Sequence, residues 1–547
     1  MSKISDKTKP IISSIGKNPL EAFMVFFVVF RLAQGLLRIF DYGLSWDEGF
    51  GYVQLLGNKN YINALADWLL KGEDHPDTSW FEEWFDKDYG IASRLPLLLG
   101  DMKFPVFGEM RGVFQLYHVY QYMLFIIAVF AMYKIGRFLG FSLRISLFGC
   151  MMLVMMPRFY AEAVYNYKDL TFVCMYIISF AVGLWLLKKW TIWRILLFSF
   201  VTAVCVNTRY IGAILFFYII VVYALQKNER KRCWNIILVG LLVSLFYFIM
   251  SPFLWEHPLQ GLFMMVSKFS SFPWTGSILF NGDVYAVENL PRSYLITWIG
   301  MTLPIWISVL IIIGTGIGTR VLILWIKKHD WSKLEISATG RIFCFIVAWG
   351  TLLADYILHP LKYDGWRHFY FLYVSFVVIA MFGMEQLLYL IKQKRVKIAI
   401  VVAIALLMTT DLLWMEQNHP FEYMYFNPIA RPVADQYEGD YWLVSTYNAA
   451  EEVLQVKTDQ PLKVWVAYNV GLWYLRPDEA ERIVLCGGAN EADIVIYHPR
   501  AERLYDDLGM MDWREYEIWR EKETDGNLIY AILIKKDSPV YASFAGK

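Results

Sequence analysis

The sequence predicts a polytopic α-helical membrane protein with two water-exposed parts, an external helical loop and a small C-terminal α/β domain. Of its 547 residues, 57% are hydrophobic and only 18% are charged, whereas soluble domains carry about 25% charged residues. Apolar runs recur along the chain up to residue 414, and a membrane span needs roughly 17–25 such residues. This composition excludes a disordered chain and argues against an ordinary soluble enzyme.

Eleven apolar runs are candidate membrane-spanning helices. Two of them are short, one apolar block is divided by Asn207-Thr208-Arg209, and the eighth run could be interrupted at Gly314-Thr315-Gly316. The runs occupy residues 20–40, 112–134, 142–157, 170–187, 191–206, 209–225, 233–252, 295–318, 342–359, 369–390 and 397–414.

Every second linker between these runs is basic. Because basic loops are retained in the cytoplasm, this alternation places the N-terminus and the basic linkers on the cytoplasmic side. The opposite linkers, 41–111, 158–169, 253–294 and 360–368, are then external, as is everything after residue 415. The alternation would fail with a missed or an extra span. The basic residues are Lys134, Arg137, Arg144, Lys188, Lys189, Arg194, Lys227, Arg230, Lys231, Arg232, Lys327, Lys328, Lys333, Arg341, Lys392, Lys394, Arg395 and Lys397.

The predicted organisation is a membrane domain over residues 1–414 and an external soluble domain over residues 415–547. The loop 41–111 contains two aromatic, amphipathic stretches that suit helices lying at the membrane interface. The C-terminal part is more charged and contains the strand-like runs KVWVAYNV, RIVLC, ADIVIYH and LIYAILIKK. Ser445 or Thr446 could cap a helix over NAAEEVLQV.

Several classes of protein are excluded or disfavoured by what the sequence lacks. The formal net charge is +1, so no basic excess indicates a nucleic-acid partner. The six cysteines form no CxxC or Cys/His cluster, which argues against a disulfide framework and a structural zinc site. No Walker, GxGxxG or HExxH pattern stands out, so no nucleotide cofactor is expected.

The external linkers concentrate acids, bases and aromatic residues at one side of the membrane. Carboxylates can act as general bases or bind a metal ion, and Arg, Lys and His can neutralise a phosphate group. Together with access to lipid, these residue types suggest group transfer from a lipid phosphate. The polar residues are Asp47, Glu48, Arg158, Glu162, Asn166, Lys168, Asp169, His359, Lys362, Asp364, Arg367 and His368.

Each of these features also has a purely structural interpretation. Asp47 and Glu48 could form a solvated turn, with even odds between that and a functional role. Arg31 and Arg38 are expected to snorkel or pair rather than to bind a ligand. Asp355 could be a structural hydrogen-bond partner near the outer end of its span.

Six separated motifs then resemble the C-type polytopic glycosyltransferases, which include protein O-mannosyltransferases and lipid A aminoarabinose transferases. The likeness runs from about Leu44 to Trp442 and is greatest to bacterial members. It rests on LSWDEGFGY, PRFYAEAVYNYKD, LPRSYLITWIGMTLP, YDGWRHFYFLY, HPFEYMYFN (419–427) and DYW (440–442). Glu162 departs from this pattern, which predicts a histidine there.

The resemblance implies an inverting enzyme that takes a sugar from a polyprenyl-phosphate donor at the outer face, in the bacterial cytoplasmic membrane. It implies that Asp47 is the general base, and that Glu48 and Asp169 orient the acceptor or share a divalent metal ion. The candidates for holding the lipid phosphate are Lys168, Arg209, Arg367 and His368, of which Arg209 rests on position alone. The supporting candidates are Arg158, Asn166, Tyr363 and His359.

Two other functions remain open at this point. A secondary transporter or flippase would place polar residues near the bilayer midplane with repeat symmetry, whereas here they gather at one face. A surface-polysaccharide polymerase or ligase would differ in its donor. For the leading interpretation, the expected partners are the lipid bilayer, the lipid-linked sugar and a protein, lipid or glycan acceptor, with no nucleic acid.

Overall fold

The computed structural model of the chain describes residues 18–83, 90–98, 110–225, 232–256, 258–261, 263, 275–328, 335–499 and 512–544. The basic residues Lys227, Arg230, Lys231 and Lys333, which were used to predict orientation, lie outside the described residues.

Each of the eleven predicted runs coincides with helix in the structure. The helices up to the last predicted span are α1 Pro19–Leu37, α2 Trp46–Lys71, α3 Met110–Phe138, α4 Leu143–Val154, α5 Pro157–Tyr165, α6 Asp169–Lys188, α7 Ile192–Thr208, α8 Ala213–Leu225, α9 Arg232–Ile249, α10 Tyr294–Thr302, α11 Ile305–Lys328, α12 Ile336–Leu358, α13 Leu372–Leu390 and α14 Lys394–Gln417. The prediction of a polytopic helical membrane protein is therefore confirmed.

Not all of these helices have the length of a full span. Seven of the described helices are long and apolar enough to cross a membrane, namely α1, α3, α6, α11, α12, α13 and α14. The pair α4 and α5 passes the same test together, although the two are bent by 66°. Helices α7, α8 and α9 are apolar but shorter. Length and composition thus support seven or eight spans, and the count of eleven stays a prediction.

The eighth run breaks at a different place from the predicted one. Helix α10 ends at Thr302 and α11 begins at Ile305, because Pro304 cannot donate a backbone hydrogen bond and disfavours helix at Leu303. The predicted interruption at Gly314 was wrong. A Cβ atom at Gly314 would lie 2.2 Å from the carbonyl oxygen of Ile379, so this glycine permits close contact between α11 and α13.

The linkers at the two ends of the helix bundle differ in charge. At one end, Arg341 Nε donates to the carbonyl oxygen of Leu139 at 3.0 Å, and Arg341 pairs with Glu385 at 3.3 Å. Arg144, at the start of α4, pairs with Glu21, at the start of α1, at 3.1 Å. These residues belong to or adjoin the basic linkers, whereas the acidic and aromatic linkers meet at the opposite end, described below.

The loop between α1 and α3 is only partly as predicted. Its first stretch forms α2, as expected. The second stretch contains the short helix Ser79–Glu83 and a single 3-10 turn at Ala92–Arg94, and its residues 84–89 and 99–102 lie outside the described residues.

The C-terminal part contains a five-stranded mixed sheet. Its strand order is β4-β3-β5-β7-β6, with β4, β3 and β5 parallel and β7 antiparallel to both neighbours. Four strands match predicted runs, but β6 was missed because its sequence YEIWREKET is dominated by charge. The remaining elements, including a β1–β2 hairpin before α10, are β1 Ser277–Phe280, β2 Asp283–Ala286, α15 Ser445–Leu454, β3 Leu462–Val466, β4 Ile483–Leu485, β5 Ile494–Tyr497, β6 Tyr516–Thr524, β7 Asn527–Lys535, and the short helices Phe253–Glu256, Pro477–Ala480 and Tyr541–Phe544.

The predicted capping residue of α15 is also corrected. Ser445 is the first residue of the helix, and Val444 is its N-cap. The backbone N–H of Ser445 is satisfied instead by Asp440 Oδ2 at 3.1 Å. A side chain five residues upstream therefore does the capping that was assigned to Ser445 or Thr446.

The C-terminal part packs directly on the membrane helices. The backbone N–H of Trp46, at the start of α2, donates to the carbonyl oxygen of Trp442 at 3.1 Å. Trp414 Nε1 on α14 donates to Asp525 at 2.8 Å, between β6 and β7. The sheet therefore lies at the end of the bundle where the acidic linkers meet.

We expect a cysteine placed in this sheet domain to be accessible from outside the cell. Arg514, with 94% of its side chain exposed, is suited to an Arg514→Cys change in a background in which Cys233 and Cys486 are replaced by serine. An impermeant thiol reagent should label it in intact cells. Lys392→Cys, at the basic end, is the matched control and should react only after permeabilisation. The reverse pattern would invert the predicted topology.

Helices α1 and α14 are joined by two polar clusters. Glu416 accepts from Arg31 at 2.8 Å and from Arg38 at 2.7 Å, which confirms that these arginines pair. Beyond the helix ends, His419 contacts Glu422 Oε1 at 2.8 Å and Asp41 Oδ2 at 2.9 Å. The first and last membrane helices are thus held side by side.

The His419 cluster should make stability depend on pH. Burial lowers the pKa of His419, but Glu422 and Asp41 outweigh burial and raise it above its usual value. A raised folded pKa stabilises the native state fully below the unfolded pKa of about 6.5 and loses that contribution as pH rises through the folded value.

We therefore expect His419→Gln to destabilise the protein most at about pH 6, by about 1.5–3 kcal/mol for a charged hydrogen bond, and least near pH 9. Thermal or denaturant unfolding of both proteins across this pH range measures the difference. Lys392→Gln, an exposed cation far from any such pair, should show no comparable pH dependence. An effect of His419→Gln that grows with pH would contradict the assignment.

Candidate functional site

Three carboxylates surround one buried arginine where the acidic linkers meet. Arg367 Nη1 donates to Asp47 Oδ2 at 2.8 Å and lies 3.7 Å from Asp169 Oδ2. Its Nη2 lies 3.0 Å from Asp364 Oδ2. Arg209 adds a second cation by pairing with Asp169. We call Asp47, Asp169, Asp364, Arg209 and Arg367 the arginine–aspartate cluster.

The local fold brings these residues to one level because each lies at or beside a helix end. Asp47 is in the first turn of α2, and Asp169 is the first residue of α6. Arg209 directly follows α7, and Arg367 begins a single 3-10 turn just before α13. Carboxylates in the first turn of a helix are favoured by the helix dipole, which supports Asp47 and Asp169 in these positions.

Burial and charge determine the electrostatics of the cluster. Arg367 has only 4% of its side chain exposed. Burial lowers its pKa, but Asp47, Asp364 and Asp169 outweigh burial and raise the pKa well above the usual range, so the guanidinium is charged. Asp47 is the most exposed of the three carboxylates, at 13%. The cluster therefore has one acid that reaches solvent and a charged core behind it.

Aromatic rings enclose the arginine from two sides. The guanidinium carbon of Arg367 lies 4.7 Å from the ring centre of Trp442 and 5.1 Å from that of Tyr363. Stacking of this kind stabilises a cation electrostatically and fixes the plane of its donors. Because Trp442 also accepts the N–H of Trp46, it contacts both the arginine and the start of the helix that carries Asp47.

His368 lies beside the arginine–aspartate cluster, and its surroundings disfavour the charged form. Burial, together with Arg209, Arg367 and Lys168, lowers the pKa of His368 well below its usual value. Its ring packs edge-on against Tyr363, with centroids 4.7 Å apart. The part of His368 in phosphate binding stays a prediction, and the positive charge there comes from its arginine and lysine neighbours.

Glu48 points away from Asp47. Its Oε1 lies 3.0 Å from His118 Nε2 on α3, and its Oε2 accepts from the backbone N–H of Ser45 at 2.8 Å. Burial raises the pKa of Glu48, and this is opposed by His118 and Ser45. Glu48 thus caps the N-terminus of α2 and connects this helix to α3, and its carboxylate does not lie beside that of Asp47.

In this structure, Asp47, Glu48 and Asp169 do not converge on one point. Arg367 occupies the space between the two aspartates, and Glu48 is directed to His118. Among the described residues, no three His, Cys, Asp or Glu side chains form a group that could hold a metal ion. A divalent metal ion at these acids stays a prediction.

The supporting candidates have separate roles. Asn166 Oδ1 accepts the backbone N–H of Asp169 at 2.8 Å and so starts α6. Arg158 donates to the carbonyl oxygen of Tyr425 at 2.9 Å, and His359 Nε2 contacts that of Leu290 at 2.8 Å. Both lie apart from the arginine–aspartate cluster. Lys168 precedes Asp169 and lies close enough to affect His368.

Three contributors were missed as site residues in the sequence. Asp364 was noted only as a polar linker residue, although it and Gly365 both have left-handed backbone, with φ of 53° and 69°. That turn is what directs the Asp364 carboxylate back to Arg367 three residues later. His118 carries no local signal, because it lies within an apolar span. Trp442 could have been found, since it ends the DYW motif.

The outer-end pairing of Asp355 agrees with its structural interpretation. Asp355 pairs with Lys362 at 3.0 Å, and both side chains are almost fully buried. Buried ions near the end of a span are normally paired in this way. These two residues therefore belong to the framework that holds the linker 359–371.

Comparison with known proteins finds similarity to solved structures. No family model and no curated protein matches the sequence. Among solved structures, the chain is similar to ArnT from Cupriavidus metallidurans bound to undecaprenyl phosphate, at 11% identity, TM-score 0.44, 94% of this chain and 98% of that one. The apo form of the same protein is similar at 11% identity and a TM-score of 0.43, over 93% of this chain and 98% of that one. The apo oligosaccharyltransferase of Archaeoglobus fulgidus is similar at 10% identity and a TM-score of 0.42, over 74% of this chain and 57% of that one.

Proposed function

We propose that the chain is an inverting glycosyltransferase that moves a sugar from a polyprenyl-phosphate donor to an acceptor at the outer face of the membrane. The observation that carries the proposal is the pairing of Arg367 with Asp47, the most exposed acid of the cluster, beside the Arg209–Asp169 pair. An acid that reaches water and cations that can take a phosphate are thus adjacent. They lie at the ends of apolar helices, where a lipid headgroup would arrive.

Asp47 has the position of a general base. An acceptor hydroxyl or amine attacks the anomeric carbon of the sugar, and the new bond forms as the bond to the phosphate oxygen breaks. The acceptor proton moves to the Asp47 carboxylate, and the bonding electron pair leaves with the lipid phosphate. Attack opposite the leaving group inverts the anomeric carbon. A base of this kind contributes typically about 10²–10⁴-fold.

The basic residues have the position of a leaving-group clamp. As the sugar departs, the phosphate gains one negative charge, and preorganised cations stabilise such developing charge. Arg209 and Lys168 flank Asp169 on one side, and Arg367 lies on the other. His368 could donate a hydrogen bond in its neutral form. Asp169, paired to both arginines, would hold these donors in place.

A transporter or flippase remains the alternative of another class. It would need a polar path along the bilayer, and the bend of 66° between α4 and α5 is a feature that favours it. However, the charged residues beside α5 gather at the same end as Asp47 and not along the helices. The transferase accounts for the cluster, whereas the transporter leaves Asp47 without a role.

A transfer assay tests the proposal. The purified protein in nanodiscs is incubated with radiolabelled polyprenyl-phosphate sugars and a membrane or cell-wall extract as acceptor. We expect label to leave the lipid fraction and a free polyprenyl phosphate to accumulate in equal amount. The anomeric configuration of the product, read by NMR, should be the inverse of that of the donor. Movement of intact donor lipid across vesicles, with no loss of sugar, would favour the transporter.

A further inference from the structure

Glu162 is a fully buried carboxylate that the proposed chemistry does not use. It lies on α5, and no part of its side chain is exposed. Its Oε1 accepts from Tyr370 at 2.7 Å and lies 3.5 Å from the hydroxyl of Tyr441, and its Oε2 accepts from Asn166 at 2.7 Å. A buried charge is costly unless it is hydrogen-bonded, so three polar partners at this point call for an explanation.

The first partner leads to Asp169. The Asn166 side chain donates to Glu162 with its nitrogen and accepts the backbone N–H of Asp169 with its oxygen, at 2.8 Å. The N–H of Asp169 can only donate, so the Asn166 oxygen faces it and the Asn166 nitrogen faces Glu162. Glu162 therefore holds the side chain that receives the first N–H of α6.

The second and third partners lead to Arg367 and Asp47. The backbone N–H of Tyr370 donates to the carbonyl oxygen of Arg367 at 3.2 Å, in the same turn. Tyr441 adjoins Trp442, whose ring lies under Arg367 and whose carbonyl accepts the N–H of Trp46. Glu162 thus reaches Asp169 through Asn166 and Arg367 through Tyr370, and it reaches Asp47 through three residues.

We propose that Glu162 is a positioning residue that holds Asp47, Asp169 and Arg367 in their relative places. Both carboxylate oxygens are needed, because the amide of Asn166 uses one and the two tyrosine hydroxyls meet at the other. An imidazole, which the resemblance predicted at this position, offers one acceptor and could not satisfy both sides. The inference rests on the proposed function only for its activity readout.

The test reverses the polarity of one contact. In Glu162→Gln, one of the two acceptor oxygens becomes an NH₂ group, so either the NH₂ group of Asn166 or the tyrosine hydroxyls lose their acceptor. In the double variant Glu162→Gln/Asn166→Asp, the glutamine donates to a carboxylate that still accepts the N–H of Asp169. We expect turnover to fall about 10²-fold in the single variant, as for a small misplacement of reacting groups, and to recover at least tenfold in the double variant.

A matched control separates positioning from stability. Asp411 on α14 is also a buried carboxylate, and it accepts from Tyr425 at 2.7 Å and from Trp306 at 3.0 Å, with no contact to the cluster. Asp411→Asn should lower the melting temperature by about as much as Glu162→Gln does, and it should leave turnover per folded molecule unchanged. Tyr370→Phe, which removes one hydroxyl, is the second variant if Glu162→Gln does not fold.

The outcomes are distinct. Normal turnover in both Glu162→Gln and Tyr370→Phe, or equal losses in Glu162→Gln and Asp411→Asn, would overturn the proposal. If the wild-type protein transfers no sugar, the proposed function has failed, and binding of polyprenyl phosphate alone decides the positioning role. We then expect binding to weaken severalfold in Glu162→Gln and to recover in the double variant, and equal binding in all three proteins would overturn it.

Discussion

Asp47→Asn should reduce sugar transfer by about 10²–10⁴-fold, the usual contribution of a general base. Asparagine has the size of aspartate and can still accept from Arg367, whose Nη1 lies 2.8 Å from Asp47 Oδ2. It cannot take a proton from the acceptor. Transfer from a polyprenyl-phosphate donor, measured for purified protein in nanodiscs with thermal melting as the folding control, checks this expectation.

Glu48→Gln is the matched comparison for Asp47→Asn. The two acids are adjacent in sequence, but Glu48 is buried and faces His118. We therefore expect Glu48→Gln to lower the melting temperature and to affect turnover less than Asp47→Asn does. Equal losses of turnover would instead support the predicted metal ion shared by both acids. Near-normal turnover in Asp47→Asn would move the base to another residue, with Asp169 the next to test.

The sequence predicted where the helices of this protein lie, whereas the number of full spans stays a prediction. A long apolar run gives helix directly, because backbone groups in lipid must be satisfied within the segment. It does not say whether a run of thirteen residues such as α8 crosses alone. The break at Pro304 follows from proline chemistry. The sequence instead suggested a break at Gly314, because the packing of this glycine against Ile379 is a tertiary contact that the sequence does not reveal.

The candidate site could be predicted in part, for a physical reason. Asp47, Asp169, Arg209 and Arg367 are at helix ends on one side, so topology alone brings them to one level. The direction of each side chain depends on contacts that no local pattern reveals. Glu48 therefore faces His118, a residue in the middle of an apolar run, and Asp364 reaches Arg367 only through a left-handed turn.

Arg367→Gln should destabilise the protein by about 3–5 kcal/mol, the usual cost of removing one partner from a buried ion pair. Its removal leaves Asp47 and Asp364 without the cation that now pairs with them, while Asp169 keeps Arg209. The free energy of unfolding, measured with denaturant in the same detergent, tests this. Arg341→Gln is the matched control, because this arginine pairs with one carboxylate, Glu385, at the opposite end of the bundle.

A second substitution shows whether the loss arises from uncompensated charge. Asp364→Asn removes one carboxylate of the cluster without touching Asp47 or Asp169, so Arg367→Gln/Asp364→Asn should be more stable than Arg367→Gln. Binding of polyprenyl phosphate should stay weakened by about 1.5–3 kcal/mol in both, because the charged donor to the phosphate is still missing. If the double variant recovers donor binding together with stability, Arg367 acts only on the fold, and Arg209 and Lys168 bind the phosphate. If neither stability nor donor binding recovers in the double variant, the destabilisation in Arg367→Gln does not arise from an uncompensated Asp364 carboxylate.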